Sequence, residues 1–130
     1  MQTTRRARGM AGVAAAGFLA TAALHASGYD AVAAMAAETQ ALAVLVPMLW
    51  LGFAADLVVL GLIVAVVAWR PVEGGRSVLS IVGLGPLAAA GLQYRYIGFI
   101  PPTALLVVLG LFTLATAAAW SRPVASDAPG

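Results

Sequence analysis

The chain has 130 residues, of which 62% are hydrophobic and only 9% are charged, and its mean hydropathy is +0.98. A water-soluble domain of this size cannot bury so much apolar surface, so the composition excludes that class of protein. No cysteine is present, which excludes disulfides and thiolate metal sites. The net charge of +2 is too sparse for a nucleic-acid-binding surface. The composition therefore predicts a small integral membrane protein.

Four long intervals, uncharged except for one aspartate, organise the chain. Each approaches or exceeds the roughly 20 apolar residues that a helix needs to cross a bilayer. Membrane strands are disfavoured because the intervals lack the alternating pattern of a barrel. We predict an all-α, polytopic, four-transmembrane-helix bundle within residues 10–120, with helices at about 10–29, 42–69, 77–96 and 102–120.

The arginines predict the orientation of these helices. Six of the seven fall in segments on one side of the bundle, and only Arg95 falls on the other. Because basic residues favour the cytoplasmic side, a basic tail at 1–9 and a disordered tail at 121–130 are both predicted to be cytoplasmic. The small size and the lack of targeting features favour a bacterial inner membrane. A cleaved signal peptide is an alternative reading, but the uncharged run at 9–29 exceeds the about 7–15 residues of a signal core.

Aromatic residues near the predicted helix ends suggest anchors at the membrane surface, because amphipathic rings favour the head-group region. The predicted anchors are Trp50, Trp69, Tyr94, Tyr96 and Trp120. The connection at 27–40 differs from the others, since its length and mixed composition suit an amphipathic segment that lies along the membrane.

Small residues at helical spacing predict close contacts between helices, because they let two backbones approach each other. The first helix carries such a stripe, and single glycines lie in the second and fourth. The predicted packing residues are Gly12, Ala16, Ala20, Gly52 and Gly110. These residues predict a bundle and allow self-association, but they indicate no activity.

Asp56 is the aspartate that interrupts the second predicted span. At 1.5 Å per residue, Asp56 and His25 lie about 20 and 22 Å from the inner boundary, and Gln93 and Arg95 about 24–27 Å. An intramembrane carboxylate normally faces the bundle interior and pairs, or stays protonated. We therefore predict an intramembrane polar cluster of Asp56, His25, Arg95 and Gln93, within one chain or between chains.

Each member of this cluster also has a plainer interpretation. His25 is more often a packed histidine that bonds to backbone or tyrosine than a ligand, and Arg95 is most simply an interface anchor. Asp56 fits a structural ion pair as well as a proton relay or a cation site. The sequence leaves these alternatives open.

The motifs of common enzymes are missing from the sequence. It shows no Walker loop, no dinucleotide fingerprint and no set of hydrolytic residues. One histidine with one aspartate is too small a ligand set for a structural zinc. We expect no catalytic residue, no metal site and no cofactor.

The predicted function is that of a non-enzymatic accessory or structural membrane subunit. Its expected partners are the lipid bilayer and either a homo-oligomer or a larger membrane complex, without nucleic acid. Two alternatives stay open: a small proton-coupled transporter that titrates Asp56, and a lipid, quinone or haem binder in the outer half of the bundle.

Overall fold

The computed structural model describes residues 2–40, 42–70 and 73–120. These residues form helices and, within those ranges, no strand. The helices are α1 (Gln2–Ala26), α2 (Tyr29–Ala37), α3 (Leu45–Trp69), α4 (Gly75–Tyr96) and α5 (Pro101–Ala119). Four segments are long and apolar enough to cross a membrane: Arg5–Ala37, Leu45–Trp69, Gly75–Tyr96 and Pro101–Ala119. The prediction of an all-helical chain with four candidate spans is confirmed, whereas the orientation stays a prediction.

The first helix starts earlier than the sequence suggested. It begins at Gln2 instead of residue 10, so the segment assigned to a basic tail forms its first turns. Ala7 and Ala11 in these turns are fully buried, which explains why the helix continues there. At its other end α1 stops at Ala26, and the connection predicted as an amphipathic segment contains the separate helix α2. The predicted disordered tail at 121–130 lies outside the described residues.

Arg8 joins the beginning of α1 to the end of α3. Its Nε donates a hydrogen bond of 2.8 Å to the carbonyl of Ala68, and its Nη2 donates one of 2.8 Å to the carbonyl of Trp69. The last carbonyls of a helix have no intrahelical donor, and the negative end of the helix dipole favours a cation there. The start of α1 and the end of α3 therefore share one end of the bundle, which we call the Arg8 end.

Replacing Arg8 with glutamine is expected to lower the free energy of unfolding by about 1 kcal/mol, because two carbonyls lose a charged donor. The matched control is Arg6→Gln, since Arg6 is exposed on the same turn of α1. Thermal unfolding of both purified variants in the same detergent measures the difference. Equal melting temperatures would mean that the Arg8 bonds do not stabilise the fold.

The four long helices pack as two pairs. Helix α1 lies along α3 and α4 along α5, α1 also contacts α5, and α3 and α4 barely meet. The first pair approaches closely at Gly61, where a Cβ atom would lie 3.0 Å from the Phe18 Cβ. The second pair approaches closely at Gly83 and Gly110. The bundle is therefore closed on three sides and loosely joined along the fourth, between α3 and α4, which we call the seam.

The turn between α4 and α5 is set by Gly98. Its φ of +97° is left-handed, a conformation that glycine adopts without a steric penalty. Its N–H bonds to the carbonyls of Gln93 and Tyr94, which ends α4, and Pro101 then opens α5. This turn places the beginning of α5 beside the end of α4.

Candidate functional site

Asp56 lies on the outer surface of the bundle. The side of α3 that packs on α1 contains Leu57, Gly61 and Val64, all buried, whereas Asp56 is exposed. Successive residues of a helix are rotated by about 100°, so burial of Leu57 turns Asp56 away from α1. The carboxylate therefore faces outward.

The structure does not bring the predicted polar cluster together within one chain. In the described ranges no ion pair joins Asp56 to Arg95 and no side-chain hydrogen bond joins Asp56 to His25. Arg95 is exposed near the end of α4, where its guanidinium carbon lies 5.6 Å from the centre of the Tyr96 ring. Depth counting placed these groups at similar levels but carried no information about direction around the helix axis. A cluster formed between chains stays a prediction.

The surroundings of Asp56 place it at the rim of the seam. Leu60 lies one helical turn away on the same side of α3 and reaches α4, where a Cβ at Gly85 would be 3.5 Å from it. Gly52, one turn before Asp56, is exposed and has no atom within 4 Å of where its Cβ would stand. We call the exposed stripe formed by Gly52, Asp56, Val59 and Ile63 the Asp56 face.

His25 is enclosed by aromatic side chains at the end opposite the Arg8 end. Its ring stacks on Trp50 with 3.8 Å between centres and meets Phe53 edge-on at 4.9 Å. The Trp50 indole N–H donates a hydrogen bond of 2.8 Å to the His25 carbonyl. Trp50, predicted as a surface anchor, is thus half-buried and ties the end of α1 to α3. The His25 Nε2 is buried and has no hydrogen-bond partner among the described residues.

Gln93 connects α4 to α5. Its Oε1 accepts a hydrogen bond of 3.1 Å from the hydroxyl of Thr103, which is itself buried. The bond leaves the amide N–H groups of Gln93 as its remaining donors. Gln93 therefore has a structural bond at its oxygen, while its amide N–H groups bond to no residue in the described ranges.

A cavity of about 360 Å³ lies between α3 and α4 near His25. It is a widely open depression with mainly apolar walls, and we call it the His25 cavity. It is lined by His25, Val46, Leu49, Trp50, Phe53, Ala89, Leu92 and Gln93. His25 and Gln93 are its polar side chains, and none of the lining residues carries a fixed charge. Two of the predicted cluster residues therefore meet around one space, without Asp56 and Arg95.

The predicted packing residues fall into two groups. Gly110 is buried, and a Cβ there would lie 2.7 Å from Leu87 Cγ and 2.9 Å from the Gly83 carbonyl oxygen. Gly12, Ala16, Ala20 and Gly52 are instead exposed. Helix α1 packs inward through its neighbouring side, whose buried residues are Ala7, Ala11, Ala14, Ala15, Phe18 and Ala22.

The predicted surface anchors include both exposed and buried side chains. Trp69, Tyr94 and Tyr96 are exposed near helix ends, as an interface position requires. Trp120 is only 8% exposed, and its indole Nε1 would lie 3.1 Å from a Cβ at Gly75. Trp120 therefore packs inside the Arg8 end. Sequence position alone did not reveal this, because an interface tryptophan and a packed one both follow an apolar run.

Comparisons with known proteins assign no relative: no family model, no curated protein and no solved structure matches the chain. Within the described ranges, no three His, Asp or Glu side chains come close enough to hold a metal ion. The Asp56 face has one carboxylate, and Gly52 beside it is an exposed glycine with open space above it. The His25 cavity offers an imidazole and a carboxamide between apolar walls. Both regions place polar groups beside apolar surface.

Proposed function

We propose that this chain is a non-enzymatic accessory subunit of a membrane complex. In this proposal its four long helices span a bacterial inner membrane with both termini in the cytoplasm, and the Asp56 face binds a helix of a partner protein. One observation carries the proposal: Asp56 is exposed on the outer surface of an otherwise uncharged helix and has no charged partner among the described residues.

The distribution of arginines supports the membrane orientation. Arg8, Arg70 and Arg76 lie at or next to the Arg8 end, whereas Arg95 lies at the opposite end. Basic residues near spanning helices favour the cytoplasm. The Arg8 end is accordingly the cytoplasmic end, and the His25 cavity belongs to the outer half of the membrane.

The cost of a carboxylate in lipid supports a partner at Asp56. Placing aspartate at the centre of a spanning helix costs about 2.5–3.5 kcal/mol on insertion scales, so such residues usually pair. A partner helix with an arginine or lysine at this depth would supply the opposite charge. The bare surface over Gly52 lets the backbone of that helix approach closely.

A second copy of the chain fits this role less well. The basic residue at the same end of the bundle as the beginning of α3 is Arg95, one residue before the end of α4. Asp56 lies 11 residues after Leu45, the first residue of α3. This separation is about 16 Å along the helix. Counted from the helix ends, a parallel copy would therefore hold its Arg95 closer to the membrane surface than Asp56.

Photo-crosslinking in the native membrane tests the proposed surface. A crosslinking amino acid at Val59, on the Asp56 face, is expected to capture one partner protein. The matched control is Val58, which is also an exposed valine but points about 100° away on the same helix. The Val59 product should disappear when Asp56→Leu is added. Equal capture at both positions, or a Val59 product that survives Asp56→Leu, would count against the Asp56 face.

A further inference from the structure

We infer that the His25 cavity binds a neutral membrane lipid whose head group is a ring bearing carbonyl oxygens, as in an isoprenoid quinone. This inference rests on the membrane placement proposed above, but it does not require the partner at Asp56. Four features of the cavity lead to it: its polar atoms, its neutrality, its aromatic walls and its opening.

The polar atoms of the cavity favour an occupant that forms hydrogen bonds. The Nε2 atom of His25 is buried without a partner in the described structure, an unfavourable state for a polar atom. The Oε1 atom of Gln93 accepts a hydrogen bond from Thr103, and the amide N–H groups of Gln93 remain as donors. In the tautomer that protonates Nε2, the imidazole is a donor as well. A carbonyl oxygen of a ring would accept from the Gln93 amide directly, and the buried Nε2 of His25 becomes a second donor when the imidazole turns toward the cavity.

The walls of the cavity select against a charged head group. None of the residues that line it carries a fixed charge, so neither a phosphate nor a quaternary amine would find an opposite charge there. Trp50 and Phe53 supply aromatic surface, against which a ring packs favourably. A neutral ring therefore fits the chemistry of these walls better than a phospholipid head.

The opening of the cavity suits a ligand that arrives through the membrane. Helices α3 and α4 barely meet along the seam, and Leu49 and Leu92 line the cavity between them. A lipid tail can lie along these side chains while the head group remains inside. The volume of about 360 Å³ falls within the range of small-molecule sites, about 300–1,000 Å³.

A fluorescence titration tests the inference. The chain would carry Trp69→Phe and Trp120→Phe, so that Trp50 is its remaining tryptophan, and would be placed in phosphatidylcholine nanodiscs. Titration with decylubiquinone is expected to quench Trp50 saturably. Monodecanoylglycerol, a neutral lipid without a ring, is expected to compete at least tenfold more weakly.

Two alanines of α4 provide a matched pair of variants. Ala89→Phe fills the cavity and should weaken decylubiquinone binding at least tenfold, whereas Ala88→Phe, on the exposed side of α4, should leave it unchanged. Non-saturable quenching, or equal binding by both variants, would overturn the inference. If the tryptophan substitutions impair folding, the two alanine variants can be made in the chain that keeps all three tryptophans. The increase in melting temperature that decylubiquinone causes in each variant then replaces the fluorescence signal.

A third variant separates this inference from the proposed function. Asp56→Leu should leave decylubiquinone binding unchanged, because Asp56 does not line the cavity. Loss of binding in Asp56→Leu would overturn the assignment of the site to His25 and Gln93. Loss of the partner with binding retained would show that the two surfaces act independently.

Discussion

Substitution of Gly110 by valine is expected to stop the folded chain from accumulating. A Cβ at this position would lie 2.7 Å from Leu87 Cγ and 2.9 Å from the carbonyl oxygen of Gly83. A side chain such as Leu87 can move, but the backbone at Gly83 can yield only if α4 and α5 separate. Overpacking typically costs about 1–3 kcal/mol, and more where backbone obstructs the new atoms. Such a loss is a large part of the stability of a small protein.

The matched control for this prediction is Gly91→Val. Gly91 also lies inside a helix, so valine has the same intrinsic helix cost there, but no atom lies within 4 Å of its Cβ position. Size-exclusion profiles of both variants and of the parent chain, extracted at equal expression, measure the folded amount. A Gly110→Val profile equal to that of Gly91→Val would contradict the close contact between α4 and α5.

Substitution of Asp56 by leucine is expected to leave the isolated chain stable and to abolish its complex. No described residue bonds to the carboxylate, so the free energy of unfolding should change by no more than about 0.5 kcal/mol, as at other surface positions. The melting temperature should therefore change little. In the proposed complex the partner's basic group would lose its counter-charge in an apolar interface. Such a loss costs about 3–5 kcal/mol, which weakens binding more than a hundredfold.

Two controls separate charge from shape at this position. Ala55→Leu adds a leucine to the neighbouring exposed residue of α3 while it keeps the carboxylate, so the complex should persist. Asp56→Asn keeps the size and a hydrogen bond and should give an intermediate loss. A marked drop in the melting temperature of Asp56→Leu would instead support a structural pair. A selective loss of pH-dependent flux in Asp56→Asn, with the complex intact, would favour a transporter.

The sequence was sufficient to predict the helical fold because the relevant signal is local. Uncharged runs of spanning length and the proline that opens α5 mark the helices without any knowledge of packing. The start of α1 was misplaced because the arginines resembled a solvated tail. Arg8 becomes part of the helix through two carbonyls about 60 residues away, and no local pattern contains that contact.

The candidate site was less predictable, because it depends on the direction in which each side chain points. Depth counting placed Asp56 and His25 at one level, yet the contact between Gly61 and Phe18 sets the rotation of α3 and turns Asp56 outward. The stack of Trp50 on His25 depends on the close approach at Gly28, where a Cβ would lie 3.0 Å from the indole. Residue type identified the polar groups, whereas packing decided which of them meet.

Native mass spectrometry of the chain, gently extracted from its own membrane at normal expression, tests the central claim most directly. The parent chain is expected to carry an additional protein subunit at fixed stoichiometry, and the Asp56→Leu chain is expected to appear without it. A parent chain that leaves the membrane alone, or only with copies of itself, would contradict an accessory subunit that binds its partner through the Asp56 face.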